Sequence, residues 1–367
     1  MCLSPILIKN PNYNHHLSKI YRSQSFLHDT ISQYIYMPCG HCKQCIAVKQ
    51  MYLVQRVQME AFDTFMYFTT LTYDNEHLPK LSTSSGFDIP FVDYRHLSNL
   101  FKRLRKDNAF KRPFRYLAVS ERGGEKGRPH VHILWFLPCY SNEFYSDGLS
   151  LNQLLYDKIK DNWCVYTKKG RYSVSEPLFT FHSKWYCGKL RTNYDTHFVV
   201  PSLTSDGVSS LAFYCCKYLL KPNDKERRLQ QAFKLNLPED EYEKSWNIVK
   251  SRSFRSSSFG LGFENHNRER IIKYLQDCVN RSDRSLGYPC FYSPDTGASF
   301  PLAPYYKADE SIFTYKDMLD FKMETPLIYD AEIDYQKIRE SAIKFERIQN
   351  LVSNKDLSID LPFLFDD

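Results

Sequence analysis

The sequence predicts a mixed α+β fold, and three local patterns support that prediction. Residues 65–73 form a run of β-branched and aromatic side chains that is typical of a strand. Two further β-like runs, at residues 114–121 and 130–137, are joined by a glycine-rich segment at residues 122–128, which predicts a hairpin. Between the strands, apolar residues recur at helical spacing after Asp93, a residue type favoured at the start of a helix.

Length and composition indicate a folded protein with a basic surface. The chain has 367 residues, of which 43% are hydrophobic and 25% charged, so it has room for two domains, or for one domain with extensions. Its net charge of +7 favours a polyanionic partner such as DNA or RNA. Aromatic residues make up 16% of the chain, which suits stacking on unpaired bases and a thick core equally well.

The sequence carries no export signal at its N-terminus and no apolar run long enough to cross a bilayer. These observations predict an unexported protein in the cytoplasm with no membrane contact. In that setting the 11 cysteines are expected to be reduced thiols or metal ligands rather than disulfides.

Three regions are predicted along the chain. Residues 1–60 form an accessory segment with a cysteine cluster, and residues 61–222 form the central domain. The central domain ends with a helix predicted over residues 208–220, which Pro222 terminates because proline cannot continue a helix. Residues 223–367 form a charged, mostly helical region that includes a partly periodic stretch at 333–351.

A metal site is predicted at the hairpin. His130 and His132 are two residues apart in a predicted strand, so both imidazoles point to the same face. Glu121 lies nine residues before His130, in a phase that lets its carboxylate reach the same ion. Two imidazoles and one carboxylate leave positions open for a phosphate oxygen and water, which favours Mg²⁺ or Mn²⁺.

Each part of this site also has an ordinary interpretation. From 11 histidines in 367 residues, about 0.3 His-x-His triplets arise by chance. Glu121 could equally be a solvated carboxylate at a hairpin end.

A pair of tyrosines is the candidate nucleophile. Tyr214 and Tyr218 are four residues apart in the predicted helix, with Lys217 on the same side and Lys221 one turn further. A phenol becomes a useful nucleophile when a nearby cation stabilises its anion, and attack on phosphorus would give a phosphotyrosine ester. The alternative is a packing stripe, although the lysines argue against a dry interface.

The cysteine cluster has spacing suited to zinc. Cys39, Cys42 and Cys45 are separated by two residues each, and His41 lies among them. Thiolates at this spacing can share one tetrahedral Zn²⁺. No fourth ligand is apparent from the sequence, so ordinary buried thiols remain an alternative.

Three motifs in order resemble the HUH endonucleases of rolling-circle replication. The chain is most similar to the replication initiation proteins of small single-stranded DNA phages, the gokushovirus branch of the Microviridae. The motifs are Phe-Thr-Thr-Leu-Thr-Tyr at residues 68–73, Pro-His-Val-His at 129–132 and Tyr-Cys-Cys-Lys-Tyr at 214–218. The segments at 39–42 and 251–262 also look like recurring features of the phage branch.

The resemblance implies a central antiparallel sheet flanked by helices, RRM-like in topology, with an N-terminal cysteine-containing extension and a C-terminal helical one. It also implies site-specific nicking of single-stranded origin DNA and later strand rejoining. The metal ligands would be Glu121, His130 and His132, the nucleophiles would be Tyr214 and Tyr218, and Lys217 would be an electrostatic helper. A host helicase and DNA polymerase would be partners in the cytoplasm of the bacterial host.

Two alternatives stay open. A plasmid relaxase or a transposase would use the same chemistry on another DNA site. A non-catalytic zinc protein that coats single-stranded nucleic acid would explain the charge and the aromatic residues. It would not explain a same-face histidine pair together with two tyrosines beside a lysine.

Overall fold

The fold is α+β, as the sequence predicts, with a central antiparallel sheet flanked by helices. The computed structural model describes residues 6–9, 13, 34–40, 42–123, 127–143, 145–178, 198–199, 224–286, 288–294 and 297–324. The helices predicted over 208–220 and 333–351 lie outside the described residues.

The secondary structure alternates between short strands and helices along the described chain. The strands are β1 (Ile6–Lys9), β2 (Tyr34–Met37), β3 (Thr64–Leu71), β4 (Lys80–Ser82), β5 (Asp88–Pro90), β6 (Arg115–Arg122), β7 (Pro129–Pro138), β8 (Cys164–Lys169), β9 (Tyr172–Pro177), β10 (Phe198–Val199), β11 (Ser253–Arg255), β12 (Cys290–Tyr292) and β13 (Ser299–Pro301). The helices are α1 (Lys43–Ala61), α2 (Tyr94–Lys106), α3 (Tyr145–Asn162), α4 (Asp224–Asn236), α5 (Glu239–Val249), α6 (Arg268–Arg281), α7 (Pro304–Lys307) and α8 (Tyr315–Glu324).

Two compact units divide the chain. One unit comprises residues 56–268 with 294–296, and the other comprises 1–55, 269–293 and 297–367. The three regions drawn from the sequence stay a prediction. The first unit contains the central sheet, including β11, which lies beyond the predicted boundary at residue 222. Within the described ranges, no helix has the length and apolar character needed to span a bilayer.

The central sheet has the strand order β10-β3-β7-β6-β11, and all its neighbours are antiparallel. β6 and β7 form the predicted hairpin, while β3 pairs with the other edge of β7 along eight residues. The central strand β7 therefore has a long partner on each side. This arrangement fixes the register of its side chains, because a slip of one residue would move every apolar group to the wrong face.

One face of the sheet carries the main core. Val131, Ile133 and Trp135 of β7 are completely buried on this face, as their alternation in the sequence predicts. The helices α2 and α3 contribute apolar side chains to the same core: Leu97, Leu100, Phe101, Leu104, Leu151, Leu155 and Ile159. At roughly 25 cal/mol per Å² of apolar surface, this burial is the main force that holds the sheet together.

The helix α2 confirms the predicted start, because the Asp93 side chain accepts a hydrogen bond from the backbone N–H of Arg95. Its basic side differs in part from the expectation. Lys102 and Arg105 are exposed, whereas Arg103 is half-buried and donates a hydrogen bond to the carbonyl oxygen of Cys164 at 2.9 Å. Arg103 therefore anchors the helix to the start of β8.

The opposite face of the sheet is apolar at one end. Phe136 of β7 lies on this face, and its ring centroid is 5.6 Å from that of Phe259. Nearby, Arg115 forms an ion pair with Glu60, whose side chain is fully buried. The other end of this face carries the polar residues of the hairpin.

Candidate metal centre

The strand register brings the three predicted ligands to one end of the sheet. Glu121 of β6 lies opposite His130 of β7, and His132 lies opposite Thr70 of β3. Since strand side chains alternate, His130 and His132 share a face, away from the core that contains Val131. We call Glu121, His130 and His132 the sheet centre.

The donor atoms of the sheet centre are close together. Nε2 of His130 is 3.0 Å from Oε1 of Glu121, and Nε2 of His132 is 3.7 Å from the same oxygen. One ligand atom of each residue lies within 4.8 Å of the others. The two histidine rings are nearly perpendicular, with centroids 4.8 Å apart.

Hydrogen bonds on the far side of each ring orient the histidines. Nδ1 of His130 lies 3.2 Å from the carbonyl oxygen of Arg128, which can only accept, so Nδ1 donates. Nε2 of His130 then faces the carboxylate, and either a proton or a metal ion is needed between them. Nδ1 of His132 is 2.8 Å from Oγ1 of Thr70, which turns its Nε2 toward Glu121.

Burial tunes the charges of the sheet centre. The side chains of Glu121, His130 and His132 are 11%, 18% and 6% exposed. Burial opposes ionisation of Glu121, but hydrogen bonding from the two histidines outweighs it and lowers the pKa of this carboxyl group to about 2. Burial also lowers the pKa of His132, which favours the neutral imidazole that a metal requires.

The donor set of the sheet centre fits a divalent metal. Two imidazole nitrogens and a carboxylate oxygen are common ligands of such ions, and both Nε2 atoms approach the same carboxylate. The second oxygen of Glu121, Oε2, is buried, and among the residues that the structure describes it has no hydrogen-bond partner. A buried carboxylate oxygen without a donor is costly, and a cation would satisfy it.

The sheet centre stands on a firm base. On the core side of β7, Nε1 of Trp135 donates a hydrogen bond to Oγ1 of Thr69 at 2.8 Å. At the hairpin, the Arg128 side chain binds Oδ1 of Asn75 at 2.7 Å and also the carbonyl oxygen of Tyr73. These contacts tie the base of the hairpin to the chain that leaves β3.

Sequence reasoning missed the residues that support the ligands. Thr70 binds His132 through its hydroxyl group, and the Phe68 ring stacks on the His132 ring with centroids 5.3 Å apart. Both belong to the first motif, which was recognised only as a strand with a family resemblance. Their signal was alternation, since Phe68 and Thr70 are in phase with each other and away from the core residues Tyr67 and Leu71.

The remaining predicted site residues are placed as follows. Tyr214, Lys217 and Tyr218 lie outside the described residues, and so does His41. Cys39, Cys42 and Cys45 are described, and each has its sulfur atom within 4.8 Å of the other two.

The fold and the sheet centre define a class first: an α+β protein with a His-x-His pair and a carboxylate at one end of an antiparallel sheet. Comparison with known families then narrows it. Residues 66–223 match the family model of the replication-associated protein ORF2. The resemblance to replication proteins of small phages, indicated by the three motifs, is therefore confirmed.

Several curated phage proteins are similar to parts of the chain. The replication-associated protein ORF4 of Chlamydia phage 1 is 34% identical over 103 residues, which are 27% of this chain and 24% of the relative. The replication-associated protein VP4 of Bdellovibrio phage phiMH2K is 29% identical over 33% of this chain and 40% of its own length. The replication-associated protein ORF2 of Spiroplasma virus 4 is 26% identical over 52% of this chain and 60% of its own length.

The chain thus spans between about a quarter and three fifths of the lengths of these relatives. No solved structure matches it.

Proposed function

We propose that this protein initiates DNA replication by nicking origin DNA in single-stranded form. The observation that carries the proposal is the sheet centre, in which Glu121, His130 and His132 converge at the end of the central sheet. The match of residues 66–223 to a replication-associated family supports the same conclusion. The basic net charge of +7 agrees with a polyanionic substrate.

The proposed reaction is transesterification at a phosphodiester. The phenol oxygen of Tyr214 or Tyr218 forms a bond to phosphorus, and the bond between phosphorus and the 3′ oxygen breaks. The phenol loses its proton and the 3′ oxygen gains one, which leaves a 5′-phosphotyrosine and a 3′-hydroxyl. Lys217 stabilises the phenolate through its positive charge. Because the ester retains the energy of the broken bond, a later 3′-hydroxyl can displace the tyrosine and rejoin the strands.

Glu121, His130 and His132 would hold the divalent metal, Mg²⁺ or Mn²⁺, which supplies Lewis-acid polarisation of the scissile phosphate. The chain's own contribution is to hold these ligands in position. The Arg128 carbonyl oxygen and the Thr70 hydroxyl group fix the ring orientations, and the buried strands beneath them keep the ligands from moving. A rigid site of this kind loses little energy to reorganisation during the reaction.

In the biological cycle, the free 3′-hydroxyl would prime synthesis by a host DNA polymerase, while a host helicase would unwind the duplex. The phosphotyrosine would keep the 5′ end until one round is complete. Rejoining would then follow from a second transesterification.

The test is a search for a covalent DNA adduct. Purified protein is mixed with Mn²⁺ and labelled single-stranded oligonucleotides that tile the cognate genome, and the products are separated on a denaturing gel. We expect an adduct that disappears in the Tyr214→Phe, Tyr218→Phe double variant and falls about 100-fold or more in the His130→Ala, His132→Ala variant. Tyr166→Phe is the matched control, because Tyr166 is an exposed tyrosine on β8, away from the predicted motifs.

Tight DNA binding without an adduct for any oligonucleotide would contradict the nuclease proposal and favour a coating protein. An adduct formed only at a transfer-type origin would favour a relaxase. An adduct of undiminished yield in the histidine variant would show that the sheet centre has no part in the reaction.

A further inference from the structure

Three cysteines converge in the turn that leads into helix α1. The Sγ atoms of Cys39 and Cys45 are 4.0 Å apart, and all three sulfur atoms, including that of Cys42, lie within 4.8 Å of one another. A disulfide would require about 2.05 Å between two sulfurs. Sulfur atoms bound to one tetrahedral zinc ion at about 2.3 Å each lie just under 4 Å apart, close to the separation of Cys39 and Cys45. We call Cys39, Cys42 and Cys45 the cysteine turn.

The backbone of the cysteine turn is shaped for metal binding. The backbone N–H of Cys42 donates to Sγ of Cys39 at 3.4 Å, a contact that favours the thiolate form. Gly40 has a φ of +80°, a conformation that side chains disfavour, and this lets the chain fold back between the first two cysteines. Nζ of Lys49, on the following helix, donates to the Gly40 carbonyl oxygen at 2.7 Å and fastens the turn.

The start of helix α1 adds a favourable field. The backbone N–H of Ile46 donates to the Cys42 carbonyl oxygen at 2.9 Å, so the helical hydrogen bonds begin at Cys42. Cys45 lies in the first turn of α1. Backbone N–H groups at a helix start carry partial positive charge, which stabilises nearby thiolates.

The alternative of ordinary buried thiols explains this arrangement less well. Cys278 and Cys290 are buried, as structural cysteines usually are. Cys39 and Cys42 are only partly buried, yet their sulfurs point toward one another and toward Cys45. Partly exposed thiols gain little from packing, so their convergence needs another cause.

We propose that the cysteine turn binds one Zn²⁺ ion through the sulfurs of Cys39, Cys42 and Cys45. On binding, zinc–sulfur bonds replace the thiol protons, which pass to solvent, and the oxidation states do not change. Zinc is favoured because thiolates are soft ligands, whereas an iron–sulfur cluster normally requires four cysteines. The fourth position is taken by water or by a donor outside the described residues. The ion would fix the chain between β2 and α1, independently of the nicking reaction.

The test measures zinc in the full-length protein and its response to cysteine substitution. We expect about one equivalent of zinc per chain that survives dialysis against a weak chelator and is lost in the Cys39→Ser, Cys42→Ser, Cys45→Ser variant. Cys139→Ser is the matched control, since Cys139 is also only partly buried and lies outside the cysteine turn. The His130→Ala, His132→Ala variant should keep this zinc, which separates the two sites and keeps the result independent of the nicking proposal.

A second measurement uses the unaltered protein, so it does not depend on a variant that folds. After replacement of zinc by Co²⁺, thiolate ligands produce intense sulfur-to-metal charge transfer in the near ultraviolet, and histidine and carboxylate ligands do not. We expect this band, and we expect a mercurial reagent to release the metal as it titrates the thiols. Absence of the band, or zinc content unchanged in the triple variant, would overturn the proposal.

Discussion

The sheet centre and the cysteine turn are both candidate metal sites, but they are built in different ways. The sheet centre draws Glu121, His130 and His132 from two strands, and a third strand supplies Thr70, which is 62 residues from His132 in the chain. The cysteine turn uses residues 39–45 alone, with Lys49 as a nearby support. We therefore infer that the fold assembles the first site without metal, whereas the second depends on its metal to hold the thiols together.

The largest expected effect tests whether the sheet centre is assembled without metal. In chelator at pH 7, Glu121→Gln should lower the free energy of unfolding by at most about 3 kcal/mol, because a pKa lowered from 4.5 to about 2 corresponds to that energy. The folded-state pKa is depressed, so the contribution is present above about pH 4.5 and is lost as the pH falls through about 2. Urea unfolding at a series of pH values measures the difference.

The same titration contains its own control. Near pH 2 the wild type and Glu121→Gln should converge in stability, since both carry an uncharged group at this position. A difference that stays constant across the pH range would mean that Glu121 is not ion-paired in the metal-free protein. The comparison between a preassembled site and a metal-dependent one would then fail.

A smaller effect separates positioning of a ligand from support of the core. Thr70→Val removes the hydroxyl group that contacts His132 Nδ1, and we expect Mn²⁺ affinity to fall about tenfold, as usual when the partner of a histidine ligand is lost. Calorimetric titration measures the affinity, and Thr70→Ser should restore it. Unchanged affinity would show that the strand register alone orients His132.

The neighbouring residue provides the matched control. Thr69 accepts a hydrogen bond from Trp135 on the core face, so Thr69→Val leaves a buried donor unsatisfied. We expect this variant to lose about 1–3 kcal/mol of stability while Mn²⁺ affinity stays the same. The two threonines thus divide the effects of one strand between its faces.

The smallest effect concerns the cysteine turn. In Gly40→Ala, the new Cβ would lie 3.3 Å from Nζ of Lys49, in a backbone conformation that costs about 1 kcal/mol outside glycine. We expect zinc affinity to fall a few-fold, as measured by competition with a chromophoric chelator. Gly86→Ala is the control, because Gly86 also has a positive φ and lies in another turn, where nothing is within 4 Å of the added Cβ. An equal loss of zinc in both variants would point to general instability.

The sequence predicted those elements whose signal is local. The alternation of apolar residues in β7 placed Val131, Ile133 and Trp135 in the core, and the periodicity after Asp93 placed helix α2. The basic side of α2 was predicted less well: Arg103 binds a backbone carbonyl group from another element, and no spacing within the helix reveals that partner. Strand β11 was also missed, because three residues are too short to show a period.

By itself, the sequence determined the donor types and their spacing: two histidines on one face of a strand, a carboxylate across a hairpin, and three cysteines at intervals of three. Only the tertiary structure decided what supports them. Thr70 reaches His132 because β3 pairs with β7 in one register, and this pairing joins residues far apart in the chain. Local spacing fixes which side chains share a face, whereas the distances between faces and strands follow from burial and hydrogen bonding over the whole sheet.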